Sequence, residues 1–289
     1  MVEKNRLTLM GVAVSVLLFV MKTYAGAVTG SIAILSDSLN SLLDVFSYGT
    51  VMIAVRVQRT EPDEGHQFGH RRAEPLAGMI IAVLAAVLGF TVIKDSLAGV
   101  FGSTRVVYDP TALVIVMVSI FAKSIVWVLY RQVGRTTGSV ALQAAAIDSR
   151  NDVLASSVVL IGYGIGGRWD AIAGLAIGIW ILASGVSIGL ENSGYLLGKS
   201  PSKEFLERIR NLALSVQGVR GVNEVRAHFL GDLLQVEVHI EVPADMDIKT
   251  AHDLGNEVEE KLLELDDVGS VFVHIDIEKD VRSLPRSLG

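Results

Sequence analysis

Two short stretches of the chain carry oxygen ligands one helical turn apart. The first reads Ser36-Asp37-Ser38-Leu39-Asn40-Ser41-Leu42-Leu43-Asp44 and the second Ile147-Asp148-Ser149-Arg150-Asn151-Asp152. Asn40 and Asp44 are four residues apart, as are Asp148 and Asp152, so on helices each pair shares one face. Two helices that each present such a pair can form a four-ligand, roughly tetrahedral cup. Its three carboxylates carry a charge of up to −3, which a divalent cation or protons must compensate. Metal entry then displaces protons, and protons displace metal. Asp37 lies on the same face, one turn further along. It is either an accessory ligand or gate, or a capping, hydrogen-bonded structural group.

Two further groups have metal-ligand chemistry. Asp63, His66 and His70 fall within eight residues and can hold one ion, although His70 and Gly69 also suit the start of a helix. Near the C-terminus, alternation places Glu224, Arg226, His228, Glu237, His239, Glu241, His274, Asp276 and Glu278 on one sheet face. Histidines and acids mixed on one face can bind a metal, or form an exposed polar face or a dimer contact. There are no cysteines, so disulfides and thiolate sites are excluded and any metal must use oxygen and imidazole ligands.

The elements that position these groups follow from hydropathy. The chain has 289 residues, 51% of them hydrophobic, and a net charge of −6, which gives no sign of a nucleic-acid partner. Six segments, near 7–27, 31–55, 73–97, 110–130, 139–165 and 170–190, are long enough to cross a hydrocarbon core, which needs about 20 residues. The first could pass for a signal peptide, but the later segments make it the first span. Lys94 and Asp95 weaken the third by hydropathy; Asp148, Arg150 and Asp152 weaken the fifth. The ligand pairs of spans two and five fall near mid-span, where a charged group costs roughly 2.5–3.5 kcal/mol unless paired, protonated or watered. A functional role is therefore the default reading. The structural alternative is a buried network with Arg150 or Lys123. Short-loop basic residues set the orientation. Lys4 and Arg6, then Arg56, Arg59, Arg71 and Arg72, then Arg131 and Arg135 lie on one side, against Lys22, Arg105 and Arg168 on the other. Both termini are thus expected in the cytoplasm.

After about residue 198 the pattern becomes that of a soluble domain. A helical period through Phe205, Ile209, Leu212 and Leu214 precedes two alternating stretches joined at Gly231-Asp232, then an amphipathic helix over 247–265 and a third alternating stretch over 270–277. The order is α-β-β-α-β, an α+β domain with helices on one sheet face. Val225, Ala227, Phe229, Val236, Val238, Ile240, Val271, Val273 and Ile275 are its expected core, and the last dozen residues read as a loose tail.

Six spans, the two oxygen pairs, His66-Gln67-Phe68-Gly69-His70 and the α-β-β-α-β domain together resemble the cation diffusion facilitators, over nearly the whole chain. The resemblance implies an all-α six-helix transporter domain over 1–198 and a metallochaperone-like cytoplasmic domain over 199–289. It further implies a homodimer in the cell membrane that exports a divalent metal from the cytoplasm by alternating access, in exchange for protons. Asp63, His66 and His70 match a second family site; His239, His252, His274 and Asp276 match cytoplasmic metal positions, with Asn223 where some members have histidine. Arg72 stands where relatives pair a base with an acid after span six, but the acid's position here is Gly198. Zinc-transporting members usually have a histidine in the intramembrane tetrad. The all-oxygen set Asn40, Asp44, Asp148 and Asp152 resembles the manganese-exporting branch, and hard oxygen ligands suit Mn²⁺. Manganese is the expected substrate, with zinc, iron or a mixture as alternatives, and no organic cofactor is expected. An intramembrane metal-dependent hydrolase would need an open metal position and a placed base, usually histidine, and no histidine lies in any span. A metal-sensing membrane receptor is the remaining alternative, although it would not need charges within the bilayer.

Overall fold

The computed structural model describes residues 2–58, 60–102, 106–136, 140–231 and 233–278. Arg59, Arg105, Asp232, Ser139 and the tail after residue 278 lie outside the described residues. Two compact units form, one from residues 1–55 with 77–191 and the other from 56–76 with 192–289. The loop of Asp63, His66 and His70 thus groups with the C-terminal unit, not with the helices that flank it.

The first unit is built from six long helices, α1 (Val2–Thr29), α2 (Ile32–Gln58), α3 (Ala73–Phe101), α4 (Pro110–Thr136), α5 (Val140–Ile165) and α6 (Arg168–Leu196). Four stretches, Leu9–Thr29 and all of α3, α4 and α6, are long and apolar enough to cross a membrane by length and composition. The third segment, expected to be weak, is the most apolar of these four. Lys94 and Asp95 fall in its last two turns and leave residues 76–93 without a charge. α2 and α5 have 27 and 26 residues. At 1.5 Å per residue either is about 40 Å long, more than the ~30 Å core requires. These two carry the oxygen pairs.

Helix ends are fixed by specific caps. Asp170, in the first turn of α6, accepts from the backbone N–H of Ile32 (2.8 Å) and from the Ser31 hydroxyl, whose Oγ accepts from Ile34 N–H. One carboxylate therefore anchors the N-terminus of α2 to that of α6, where the helix dipole also favours an anion. Gly166 and Gly167, at φ +76° and +59°, turn the chain between α5 and α6 in a conformation that L side chains rarely adopt.

α3 and α6 meet backbone to backbone. A Cβ added at Gly89 would lie 2.7 Å from Leu182 N, one at Gly178 3.0 Å from Ile93 N and one at Gly185 3.0 Å from Ala86 N. This is close packing through small residues, the usual device for joining membrane helices. Gly178→Leu is expected to destabilise the protein by about 1–3 kcal/mol through overpacking. Thermal unfolding in detergent checks this, with Gly49→Ala as the control because nothing lies within 4 Å of that position. A Gly178→Leu protein that melts with the parent would contradict the seam.

The C-terminal unit contains α7 (Lys203–Leu214), β1 (Gly221–Leu230), β2 (Leu233–Val242), α8 (Ile248–Leu263) and β3 (Val268–Ile277), the expected α-β-β-α-β order. β1 and β2 pair antiparallel through a turn with Gly231 at φ +71°, and β3 returns through α8 to pair parallel with β2. Ser202 and Asp247 cap the two helices, accepting from Phe205 N–H and Thr250 N–H. The central strand alternates strictly, burying Leu234, Val236, Val238, Ile240 and Val242. They pack with Ala227, Val271 and, from the helices, Ile209, Leu254, Val258 and Leu262. Val225, Phe229, Val273 and Ile275 lie partly buried at the margin of this core. The core side is thus covered by helices, and the opposite face keeps the charged and imidazole groups.

Candidate metal centre

Asn40 and Asp44 of α2 and Asp148 and Asp152 of α5 line one cavity of about 220 Å³, completed by Ile81 and Ala85 of α3 and Trp180, Ile181, Ser184 and Ile188 of α6. Asp152 is buried, Asn40 and Asp44 are half-buried, and Asp148 is exposed to the cavity side. The Asn40 amide nitrogen donates to Asp152 Oδ1 at 2.9 Å, so the four-residue spacing on each helix does bring the two pairs together. With its nitrogen engaged, Asn40 has its carbonyl oxygen left to offer a cation.

Lys123, expected from the sequence only as a structural partner, holds two of these carboxylates. It projects from the buried face of α4, and its Nζ lies 2.6 Å from Asp152 Oδ2, 3.1 Å from Asp44 Oδ2 and 3.2 Å from Ser15 Oγ. The available signal was a lone lysine inside an apolar span, which must find an anion. Arg150, the other weighed partner, is exposed and donates to Asn151 Oδ1 at 3.3 Å.

Asp37 is placed differently from the expected accessory ligand. It is 1% exposed, pairs with Lys22 Nζ at 2.8 Å and accepts from the Ser156 hydroxyl at 2.8 Å. Lys22 also donates to Ser41 and Ser156, both at 3.2 Å. Asp37 is not among the residues lining the cavity, which favours its structural alternative.

On the loop, Asp63, His66 and His70 converge so that one ligand atom from each lies within 4.8 Å of the others. Asp63 Oδ1 accepts from the backbone N–H of Gly65 and His66, which fixes the carboxylate. Those bonds, His66 first, hold its carboxyl below the usual carboxylate range. His66 Nδ1 and His70 Nε2 are each 3.4 Å from a different Asp63 oxygen, and the two rings are 4.5 Å apart. The turn closes at Gly69, φ +75°, whose N–H donates to His66 O.

On the sheet, His239 of β2 stands directly opposite His274 of β3, with ring centroids 4.6 Å apart. Asp276 lies 3.5 Å from His239 Nδ1 and 3.4 Å from His274 Nε2, and the three can converge on one ion. A break in the β1 ladder frees Asn223 to donate to Asp276 Oδ2 at 3.0 Å. That bond, ahead of the two histidines, holds the Asp276 carboxyl low. His252 does not join this group within one chain. It is exposed on α8, in the helical layer across the core, where Asn256 is its partner at 3.3 Å.

Two family descriptions match the chain, the cation efflux transmembrane domain over residues 8–197 and the cation efflux cytoplasmic domain over 201–278. The chain is 34% identical over 286 residues to an uncharacterised transporter of Methanocaldococcus jannaschii, covering 95% of this chain and 99% of that one. It is 30% identical over 273 residues to Metal tolerance protein 11 of Arabidopsis thaliana, covering 91% and 68%. It is 27% identical over 272 residues to the manganese efflux system protein MneS of Bacillus subtilis, covering 93% of each. With a helical membrane domain, an α-β-β-α-β domain and a cavity of converging carboxylates, the chain belongs to the cation efflux family, the cation diffusion facilitators, and is a membrane transporter of divalent metal cations, not an enzyme.

Proposed function

We propose that this chain exports Mn²⁺ from the cytoplasm in exchange for protons, working as a homodimer in the cytoplasmic membrane with both termini inside. The observation that carries the reading is the all-oxygen ligand set around the cavity, three carboxylates and the Asn40 carbonyl. Such a set suits a hard ion better than one that seeks imidazole. The 27% identity to a protein named for manganese efflux supports the same choice. Carboxylates must be ionised to hold a metal, so loading releases protons, and protonation from the other side releases the metal. An alternating-access cycle of this kind exchanges the two at one site.

The triads Asp63–His66–His70 and His239–His274–Asp276 are proposed as accessory metal sites on the cytoplasmic side. Their chemistry differs from the intramembrane set, because each adds two imidazoles to one carboxylate. They would therefore favour later transition metals relative to the cavity, and need not hold the transported ion.

Competition flux in proteoliposomes with Mn²⁺, Fe²⁺ and Zn²⁺, read with a pH-sensitive dye, tests the proposal. The expected result is preference for Mn²⁺ with proton movement in the opposite direction. A preference for Zn²⁺ would overturn the metal assignment, and metal flux without counterflow would overturn the antiport.

A further inference from the structure

Two buried lysines neutralise carboxylates in the membrane unit, and their settings differ. Lys22 is sealed in with Asp37, Ser41 and Ser156, and neither it nor Asp37 lines the cavity. Lys123 does not line the cavity itself either, but it holds Asp44 and Asp152, two of the residues that do. Its Nζ contacts the Oδ2 atoms of both and so lies between them. An ion ligated by those same two oxygens, at bond lengths of about 2.0–2.2 Å, needs the same space. Ammonium and metal cannot both occupy it, since the two are of like charge and the interior screens them poorly.

We propose that Lys123 is a tethered competitor for the metal. Its ammonium and the ion compete for the Oδ2 atoms of Asp44 and Asp152: the lysine leaves those oxygens when metal binds and returns to expel it. The inference rests on the reading of this cavity as the transport site. Ser15 Oγ, already 3.2 Å from Nζ, offers a partner on the side of α1, so the lysine can turn away without losing every hydrogen bond. A flexible stem bearing a compact, freely rotating charge suits such an exchange, whereas a planar guanidinium would clamp both carboxylates. Charge balance agrees. Fully ionised, the three carboxylates and Lys123 sum to −2 (−3 + 1), which one divalent ion cancels.

The test uses the full chain in lipid nanodiscs with Mn²⁺ alone as the probe, at fixed pH, together with flux in proteoliposomes. Lys123→Gln removes the competitor. Binding should tighten about tenfold or more, and flux should show a lower KM with a maximal rate about tenfold lower, because release slows. Lys123→Arg keeps the charge but grips both carboxylates, so binding should weaken about tenfold. Folded Lys123→Gln protein that binds Mn²⁺ no more tightly than the parent would overturn the proposal. If that variant fails to fold, Lys123→Arg decides, and binding equal to the parent's overturns it. Asp148→Ala in the same assay separates the two levels, because that residue lines the cavity without pairing to Lys123. Retained binding there removes the transport-site reading itself, whereas lost binding beside unaltered lysine variants removes only the role of Lys123.

Discussion

Asp148→Ala is expected to lower metal flux at least ~100-fold, equivalent to about 2.8 kcal/mol at 1.4 kcal/mol per decade, while membrane insertion and thermal stability stay those of the parent. Asp148 lines the cavity but has no ion-pair or hydrogen-bond partner among the described residues. Its removal deletes a ligand without leaving another charge stranded. Asp152 is a poorer test residue. It accepts from both Asn40 and Lys123, so its loss also removes the shorter of the two carboxylate contacts of a buried ammonium and destabilises the protein. Flux of equal amounts of reconstituted protein, normalised to the parent, checks the expectation. Near-parental flux from Asp148→Ala would remove that residue from the ligand set.

Asn40→His is expected to move preference toward Zn²⁺ by about tenfold relative to Mn²⁺, with transport retained. The amide now donates to Asp152 Oδ1 and has its oxygen to offer. An imidazole can reproduce that donation through one ring nitrogen and present the other to the ion, the arrangement in which histidine ligands are normally held. The exchange thus alters ligand softness while keeping the link between α2 and α5. Competition flux with the two ions reads it, and an unchanged metal ranking would count against selectivity by ligand type at this position.

What could be read from the chain depended on how local the information was. The pairs Asn40–Asp44 and Asp148–Asp152 were legible because a four-residue spacing fixes a shared helix face. The small domain was legible too, since strict alternation over β2 and a helical period over α8 specify their buried faces. The partners of the carboxylates were not. Lys123 is 79 residues from Asp44 and 29 from Asp152, and Lys22 is 15 from Asp37 across a helix turn, so periodicity could not pair either. His252 is a different case, since it was placed by the family resemblance and not by spacing. Within one chain α8 lies across the hydrophobic core from the face bearing His239 and His274. Hydropathy misjudged α3 because two charges near its end were weighed as though they lay in its middle.

The glycine contacts between α3 and α6 bear on how the cavity opens. Packing this close couples α3 to α6, so the two helices are expected to move together. The cavity walls divide along the same line. Ile81 and Ala85 of α3 with Trp180, Ile181, Ser184 and Ile188 of α6 form a mostly apolar side, and every proposed ligand stands on α2 or α5. On the alternating-access reading proposed above, tilting these two helices would change the side of the membrane that the cavity faces. On that reading the wall and the ligands stand on different helices, tied at one end by the Asp170 anchor between α2 and α6.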